Sequence, residues 1–448
     1  AARIEWERRD KVRAIVERLM SRTLLGYFAA LATRGVEVIG KFGLYFLAAR
    51  LMGGHDSGLF FLCLSWVNLA STAARLGLER AISRHIAAEL AVGHGRAARQ
   101  ALITGLGWVT LASFAAALLT FGLAGPAAQF IYHQPELALP LRFAALILPT
   151  QTLAFTIGFA LIGMNRAVLA QIVQSALPPA LSLLALVAGL HRLDTVLMVY
   201  ACSYGACCCL GAAFILRDWR AVLVDRPHGT PTDPLPTLWT TARPLFVVEL
   251  VQVSLLSLPV LALGAFADPV AVSAFSIVSR MTMMINTILV SIATIASPAF
   301  ARYHRRREYV QLRHTANQAR LLAMAVCLPI IAIMVIFPHT LLSLLGRDFA
   351  SHAAVAAMIV LCMGQLVNVF LPTEDMMLTM TGHGRTLRAL NLQQFAVCCL
   401  LGAVLIPLFG LIGAAILSAV VLIQGRVSFA LAVRRVLPEL SAPGTMPA

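Results

Sequence analysis

Apolar residues run along this chain in windows of about 20, the length that crosses a hydrocarbon core as a helix, and polar residues are confined to short segments between them. Twelve windows can be drawn: 24–51, 58–78, 101–124, 141–163, 168–190, 193–215, 244–266, 270–299, 318–337, 352–380, 386–408 and 411–433. The faintest divisions fall at His191-Arg192 and Phe409-Gly410. A backbone in lipid must satisfy its own hydrogen bonds, so apolar runs of this length are expected to be helices. The pattern predicts an all-α membrane protein of twelve transmembrane helices in two six-helix lobes related by a pseudo-two-fold.

The longest hydrophilic stretch, 216–243, is rich in Pro, Thr and charge and separates six windows from six. The expected organisation is an amphipathic segment at 1–23, an N-lobe at 24–215, a linker at 216–243, a C-lobe at 244–435 and a tail at 436–448. In the first segment Ile4, Val12, Ile15, Val16 and Leu19 form an apolar stripe with Trp6 as an interfacial anchor, which suits a helix lying on the membrane face.

The two halves also read alike. GLYFLAARLMGGHDSGLFFL joins windows one and two through a Gly/Asp turn, and LLSLPVLALGAFADPVAVSAFSI joins seven and eight in the same way. Gly58-Leu59-Phe60 falls where Ser273-Ala274-Phe275 falls; LIGMNRAVLAQIVQ parallels MTGHGRTLRALNLQQ, setting Arg166 against Arg385 and Gln174 against Gln393. Parallel repeats of this kind imply a site between the lobes and a rocking motion about it.

Composition agrees. The 448 residues are 59% hydrophobic and 12% charged, about half the charged share of a soluble domain. Net charge is +15, from 35 Lys and Arg against 20 Asp and Glu. Such an excess would suggest nucleic acid in a soluble protein, but here the basic residues sit in alternate loops. The opposite face carries only Arg50, Arg142, Arg192 and Arg347. That asymmetry places both termini in the cytoplasm. Arg302 and Arg305-Arg306-Arg307 form a basic run suited to anionic lipid. All nine Cys lie within apolar windows, and no His accompanies Cys207–Cys209 at ligand spacing; neither disulfides nor a metal site are expected.

Charge inside the windows carries the functional information, because an ionisable side chain at mid-bilayer costs roughly 2.5–3.5 kcal/mol on insertion scales. Arg34, Glu37 and Lys41 are three and four residues apart and share one helix face. They form either a self-compensating string or a cavity strip with surplus positive charge for an anion. Arg280 has no acid within a helical turn; a ligand phosphate, Glu37 or Glu249 could serve it. Arg75, near the end of window two, can snorkel to the interface or guard a cavity mouth. Glu249 is either an ion-coupling carboxylate or the partner of Arg280. Glu374 and Asp375 follow Pro372 and suit a gate or a solvated helix end. Gln174, Asn391 and Gln393, with Gln171 and Gln394, either tie helices together or meet sugar hydroxyls.

Two passages resemble a known family. FLAARLMGGHDSGLFFLCLSWVNLASTAARLGLERAISRHIA is similar to the opening of polysaccharide-biosynthesis membrane proteins, the Wzx-type oligosaccharide-lipid flippases of the multidrug/oligosaccharidyl-lipid/polysaccharide exporter superfamily. The matching residues are Leu51-Met52-Gly53, Asp56, Gly58-Leu59-Phe60 and Leu76-Gly77-Leu78-Glu79-Arg80. The Gly410-Leu411-Ile412-Gly413-Ala414-Ala415 turn resembles the family's last two spans. The resemblance implies a bacterial inner-membrane flippase for undecaprenyl-pyrophosphate-linked oligosaccharide, an O-antigen, capsule or exopolysaccharide unit, working by alternating access. It implies a cationic cavity, with Arg34, Lys41, Arg280 and Arg75 as pyrophosphate-binding residues. Glu37, Glu249, Glu374 and Asp375 are the candidates for H+ or Na+ coupling or charge pairing, with no other cofactor. The partners implied are the lipid-linked glycan, bilayer lipids, a glycan polymerase and a chain-length regulator, and no nucleic acid. The chain ends too soon after window twelve for the extra helix pair of peptidoglycan-precursor flippases, which weighs against that branch. A cation or drug antiporter of the same fold remains the alternative; an enzyme or a scaffold fits the short loops and the buried charge less well.

Overall fold

The computed structural model of the chain describes residues 2–222, 237–346 and 349–436, with side chains described for 32–219, 237–346 and 349–436. The apolar stripe of segment 1–23, the middle of the 216–243 linker and the tail beyond 436 therefore lie outside the described residues. The helices are α1 (Ala2–Arg75), α2 (Leu78–Ala91), α3 (Gly95–Pro126), α4 (Ala138–Gly163), α5 (Ala167–Gln171), α6 (Leu177–Val187), α7 (Leu193–Val222), α8 (Leu238–Phe266), α9 (Pro269–Arg306), α10 (Tyr309–Ile336), α11 (Pro338–Ser343), α12 (His352–Phe370), α13 (Glu374–Met380) and α14 (Gly384–Val436). A π-helical turn at Ile172–Ala176 joins α5 to α6.

Among the described residues, ten helical stretches are long and apolar enough to cross a membrane. Two of them are too long to cross only once: Ala32–Arg75 has 44 residues and Gly384–Val436 has 53, about twice the 20 that a hydrocarbon core needs. Each reverses at a glycine with left-handed φ, Gly53 (79°) and Gly410 (51°), a conformation glycine adopts without a Cβ clash. The result is twelve spans in an all-helical, two-lobed membrane protein. Large apolar side chains such as Ile295 (79% exposed) and Leu400 (72%) face outward, as lipid contact requires.

Three boundaries differ from the sequence reading. The segment between windows two and three holds a helix, α2, whose Leu78, Ala81, Ile82 and Ile86 are fully buried. Window ten stops at Phe370, because Leu371 precedes Pro372 and takes an extended φ of −128°; the residue before a proline is pushed out of the helical region. The chain then restarts as α13 at Glu374.

The halves repeat their turns. Gly93 (φ 81°) and Arg307 (φ 58°) are left-handed at matching reversals. There His94 N–H donates to the Glu89 carbonyl and Glu308 N–H to that of Tyr303, both at 2.9 Å. Asn165 and Gly382 match likewise (φ 61° and 84°), with Arg166 N–H bonded to Leu161 O and His383 N–H to Leu378 O. Arg166 therefore corresponds to His383, and the sequence pairing of Arg166 with Arg385 is out of register. Phe60 and Phe275, paired by sequence, are both fully buried.

The lobes meet where α1, after its kink, packs against α8 and α9. At the end holding Gly53, Ser57 Oγ and Ser273 Oγ are 2.6 Å apart, and Gly58 abuts the Pro269 backbone so closely that a Cβ would lie 1.9 Å from the carbonyl oxygen. At the other, basic end Gly77 seats against Ala242 and Phe246 of α8. Polar space remains between these two seals.

Candidate functional site

Two adjoining cavities occupy that space. One, of about 340 Å³, is lined by Arg34, Glu37 and Lys41 of the first span together with an aromatic wall of Tyr45, Phe155, Tyr200 and Tyr204. The other, of about 240 Å³, reaches Arg75 along a wall of small polar groups that includes Ser65, Thr72, Ser257 and Ser276. Asn68, Gln151, Phe155, Arg280 and Met283 line both. All four cations expected at the site thus face one connected space at the lobe interface, and Glu37 is the one carboxylate lining it among the described residues.

Charge is compensated unevenly. Arg34 Nη1 lies 2.8 Å from Glu37 Oε2 and Lys41 Nζ 2.6 Å from Oε1; Gln171 Nε2 donates to Oε2 at 3.1 Å. Two cations share one buried acid, so this string keeps a net positive charge while Glu37 is ionised. Arg75 pairs with Glu79 (Nε to Oε1, 3.3 Å), donates to Thr72 Oγ1 at 2.8 Å and lies over the Phe155 ring. It is 7% exposed; it does not snorkel to the interface. Arg280 differs from both. Its guanidinium carbon stands 3.6 Å above the Tyr45 ring centre and 5.3 Å from that of Phe61. Its Nε, like that of Arg75, is buried without a hydrogen-bond partner, but among the described residues no carboxylate forms an ion pair with Arg280. Aromatic faces attract a cation yet leave its N–H donors free. Counted at 1.5 Å per residue from the far ends of their spans, Lys41 and Arg280 lie about 16–18 Å deep, and Arg34 about 28 Å, closer to the basic end.

The acids assigned to coupling are all engaged. Glu249 pairs with Arg80, not with Arg280. Asp375 pairs with Arg426 of α14 at 3.1 Å, and Glu374 Oε2 accepts the Thr373 N–H at 3.0 Å. None of the three lines either of these cavities. Nor do the residues assigned to sugar: Gln174 donates to the Phe155 carbonyl at 3.0 Å and binds α4 to the π turn, Asn391 is buried within α14, and Gln393 is exposed on its outer face. The cavity amides are instead Asn68 and Gln151, joined at 2.9 Å. Both are polar residues within apolar windows, the signal that could have marked them. The tyrosines carry no comparable mark in the sequence.

Truncating Arg75 to Ala is expected to lower stability by about 3–5 kcal/mol, the usual result of stranding the partner of a buried ion pair, because Glu79 is 1% exposed. Thermal unfolding in detergent measures this, and an unchanged midpoint would contradict the pairing.

Fold and cavity define a multi-pass membrane protein with a cationic chamber between two lobes. The chain belongs to the family described as "Polysaccharide biosynthesis protein", whose model matches residues 26–304. The MatE family model matches residues 244–408. No curated protein matches in sequence. Solved structures with a similar fold include an inward-facing multidrug-resistance MATE transporter of the MOP superfamily, 15% identical, covering 92% of this chain and 99% of its own, with a TM-score of 0.70. The lipid II flippase MurJ in an inward closed conformation is 12% identical over 91% of this chain and 87% of its own, with a TM-score of 0.71. A MOP-superfamily transporter from Pyrococcus furiosus, described as having a reverse-polarity binding pocket that suggests a different function, is 16% identical over 93% and 95%, with a TM-score of 0.60. These likenesses show that the chain shares the fold of these proteins.

Proposed function

We propose that this protein is a flippase that carries undecaprenyl-pyrophosphate-linked oligosaccharide, an O-antigen, capsule or exopolysaccharide unit, across a bacterial inner membrane by alternating access. The observation that carries this reading is Arg280, a mid-depth guanidinium with no carboxylate partner among the described residues, at the junction of two cavities. A pyrophosphate cannot enter hydrocarbon without compensation, and guanidinium binds phosphate oxygens through two parallel hydrogen bonds. The Arg34–Glu37–Lys41 string adds surplus positive charge on one side, and Arg75, paired with Glu79, stands on the other. The aromatic wall and the Asn68–Gln151 pair offer the mixture of apolar faces and a few placed polar groups typical of ligand pockets; a glycan presents both kinds of surface. The prenyl tail needs no protein path, since it can remain in the bilayer.

In this reading both termini are cytoplasmic, an H+ or Na+ gradient supplies the driving force, and a glycan polymerase and a chain-length regulator act next. The MatE match makes a drug or cation antiporter the competing assignment, against which the surplus of cations in the chamber weighs. Reconstituted vesicles test the two together. The protein is expected to move a prenyl-diphosphate-linked oligosaccharide and to leave a cationic dye where it is. Dye transport without glycolipid movement would sink the flippase reading.

A further inference from the structure

The turn Leu76-Gly77-Leu78-Glu79-Arg80, which the family resemblance marked without giving it work, lies where the lobes meet at the basic end. Leu76 and Gly77 are both left-handed, with φ of 56° and 70°, and they break α1 from α2 sharply. A Cβ on Gly77 would lie 2.6 Å from both the Ala242 carbonyl oxygen and the Phe246 nitrogen, so glycine is what lets the turn seat on α8. Arg75 ends one helix and Glu79 opens the next, each at the terminus whose dipole favours its charge. Arg80 then reaches across to Glu249 of α8. Four charges thus run in sequence from the cavity wall to the lobe seam: Arg75, Glu79, Arg80 and Glu249.

Glu79 is the hinge of this chain of charges. Burial pushes its carboxyl above the ordinary range, Arg75 pulls it back, Glu249 adds a like charge and Arg80 a favourable one. Its Oε2 is buried without a hydrogen-bond partner. A buried carboxylate that loses its counter-ion must find another, and the next cation is Arg80.

We propose that this turn is a latch that senses the cavity: when a ligand phosphate takes Arg75, Glu79 draws Arg80 away from Glu249 and the lobes part at the basic end. The inference rests on the phosphate ligand proposed above. Differential contacts in the two states are what let a ligand shift such an equilibrium: the bound state gains a phosphate–Arg75 pair and an Arg80–Glu79 pair, and the empty state holds the Arg75–Glu79 and Arg80–Glu249 pairs. Glu79 and Arg80 are positioning residues for transport, since they act through Arg75.

The probe is a short-chain prenyl-diphosphoryl sugar, whose diphosphate is fully ionised at neutral pH, added to the purified protein in detergent. Binding is followed by calorimetry and the seam by hydrogen–deuterium exchange. The probe is expected to raise exchange several-fold in peptides covering 76–91 and 238–250 of the wild type. Glu79→Gln should bind the probe without that rise, and Glu249→Gln should show raised exchange before any probe is added. Binding with no change in wild-type exchange would overturn the latch, as would a wild-type-like response in Glu79→Gln. Uptake of a proton on binding with the seam unmoved would also overturn it, because Glu79 would then be answering by protonation. Failure of the probe to bind the wild type at all would sink the phosphate reading, and the latch with it; the calorimetry separates that outcome from the others.

Discussion

On the proposed function, replacing Arg280 with Met is expected to abolish glycolipid transport while leaving the protein at least as stable as before. Methionine keeps the bulk of the side chain and removes the charge, so packing against Tyr45 and Phe61 survives. A hydrogen bond to a charged group contributes about 1.5–3 kcal/mol. Losing a two-pronged phosphate contact should therefore weaken binding by about a hundredfold or more. The stability expectation has the opposite sign. An arginine at mid-bilayer costs roughly 2.5–3.5 kcal/mol on insertion scales, and here the aromatic faces return only about 0.5–2 kcal/mol of it. A residue kept for a ligand rather than for the fold shows this trade of stability against activity. Arg280→Lys should fall between, since ammonium keeps charge without the planar fork. Flipping in vesicles and thermal unfolding in detergent read the two halves separately. A marked loss of stability in Arg280→Met would mean that an unseen protein partner neutralises the charge, and the binding argument would fail.

Gly58→Ala is expected to cost most of the transport rate through a different route. The added methyl would sit 1.9 Å from the Pro269 carbonyl oxygen and 2.9 Å from its Cα. Both are backbone atoms, so no side-chain rotation relieves the clash. Ordinary carbon contacts begin near 3.5 Å, and the two lobes would have to part by about 1.5 Å at that end. The Ser57–Ser273 hydrogen bond would break with them. Overpacking of this kind costs about 1–3 kcal/mol, less than enough to unfold the protein but enough to disfavour the state in which that end is shut. The variant should insert, fold and bind substrate, and should flip at least about tenfold more slowly. A wild-type rate would show that closure at Gly58 is no part of the cycle.

The conflict between these residues and their surroundings explains what could be read in advance. Membrane spans were legible because each is fixed by its own twenty residues: lipid leaves a backbone no choice but to bond to itself. Gly410 was legible only as a faint division between two windows, while Arg34, Lys41, Arg75 and Arg280 were legible as misfits in apolar windows. Their cost is a property of the residue and its depth, independent of what stands opposite. By contrast α2 was missed: an amphipathic helix between spans gives no hydropathy peak, and Leu78, Ile82 and Ile86 declare themselves as core only once α4 and α8 cover them.

The sequence by itself determined that this chain crosses the membrane in two similar halves and that cations are held within it. Only tertiary structure decided which charges answer which. Glu249 meets Arg80 and not Arg280, Gln174 braces a helix and lines neither of the two cavities, and Tyr45, Tyr200 and Tyr204 become a wall because separate spans bring them together. Coulomb and hydrogen-bond partners are chosen within a few ångströms in space, and the residues concerned lie up to some two hundred positions apart along the chain.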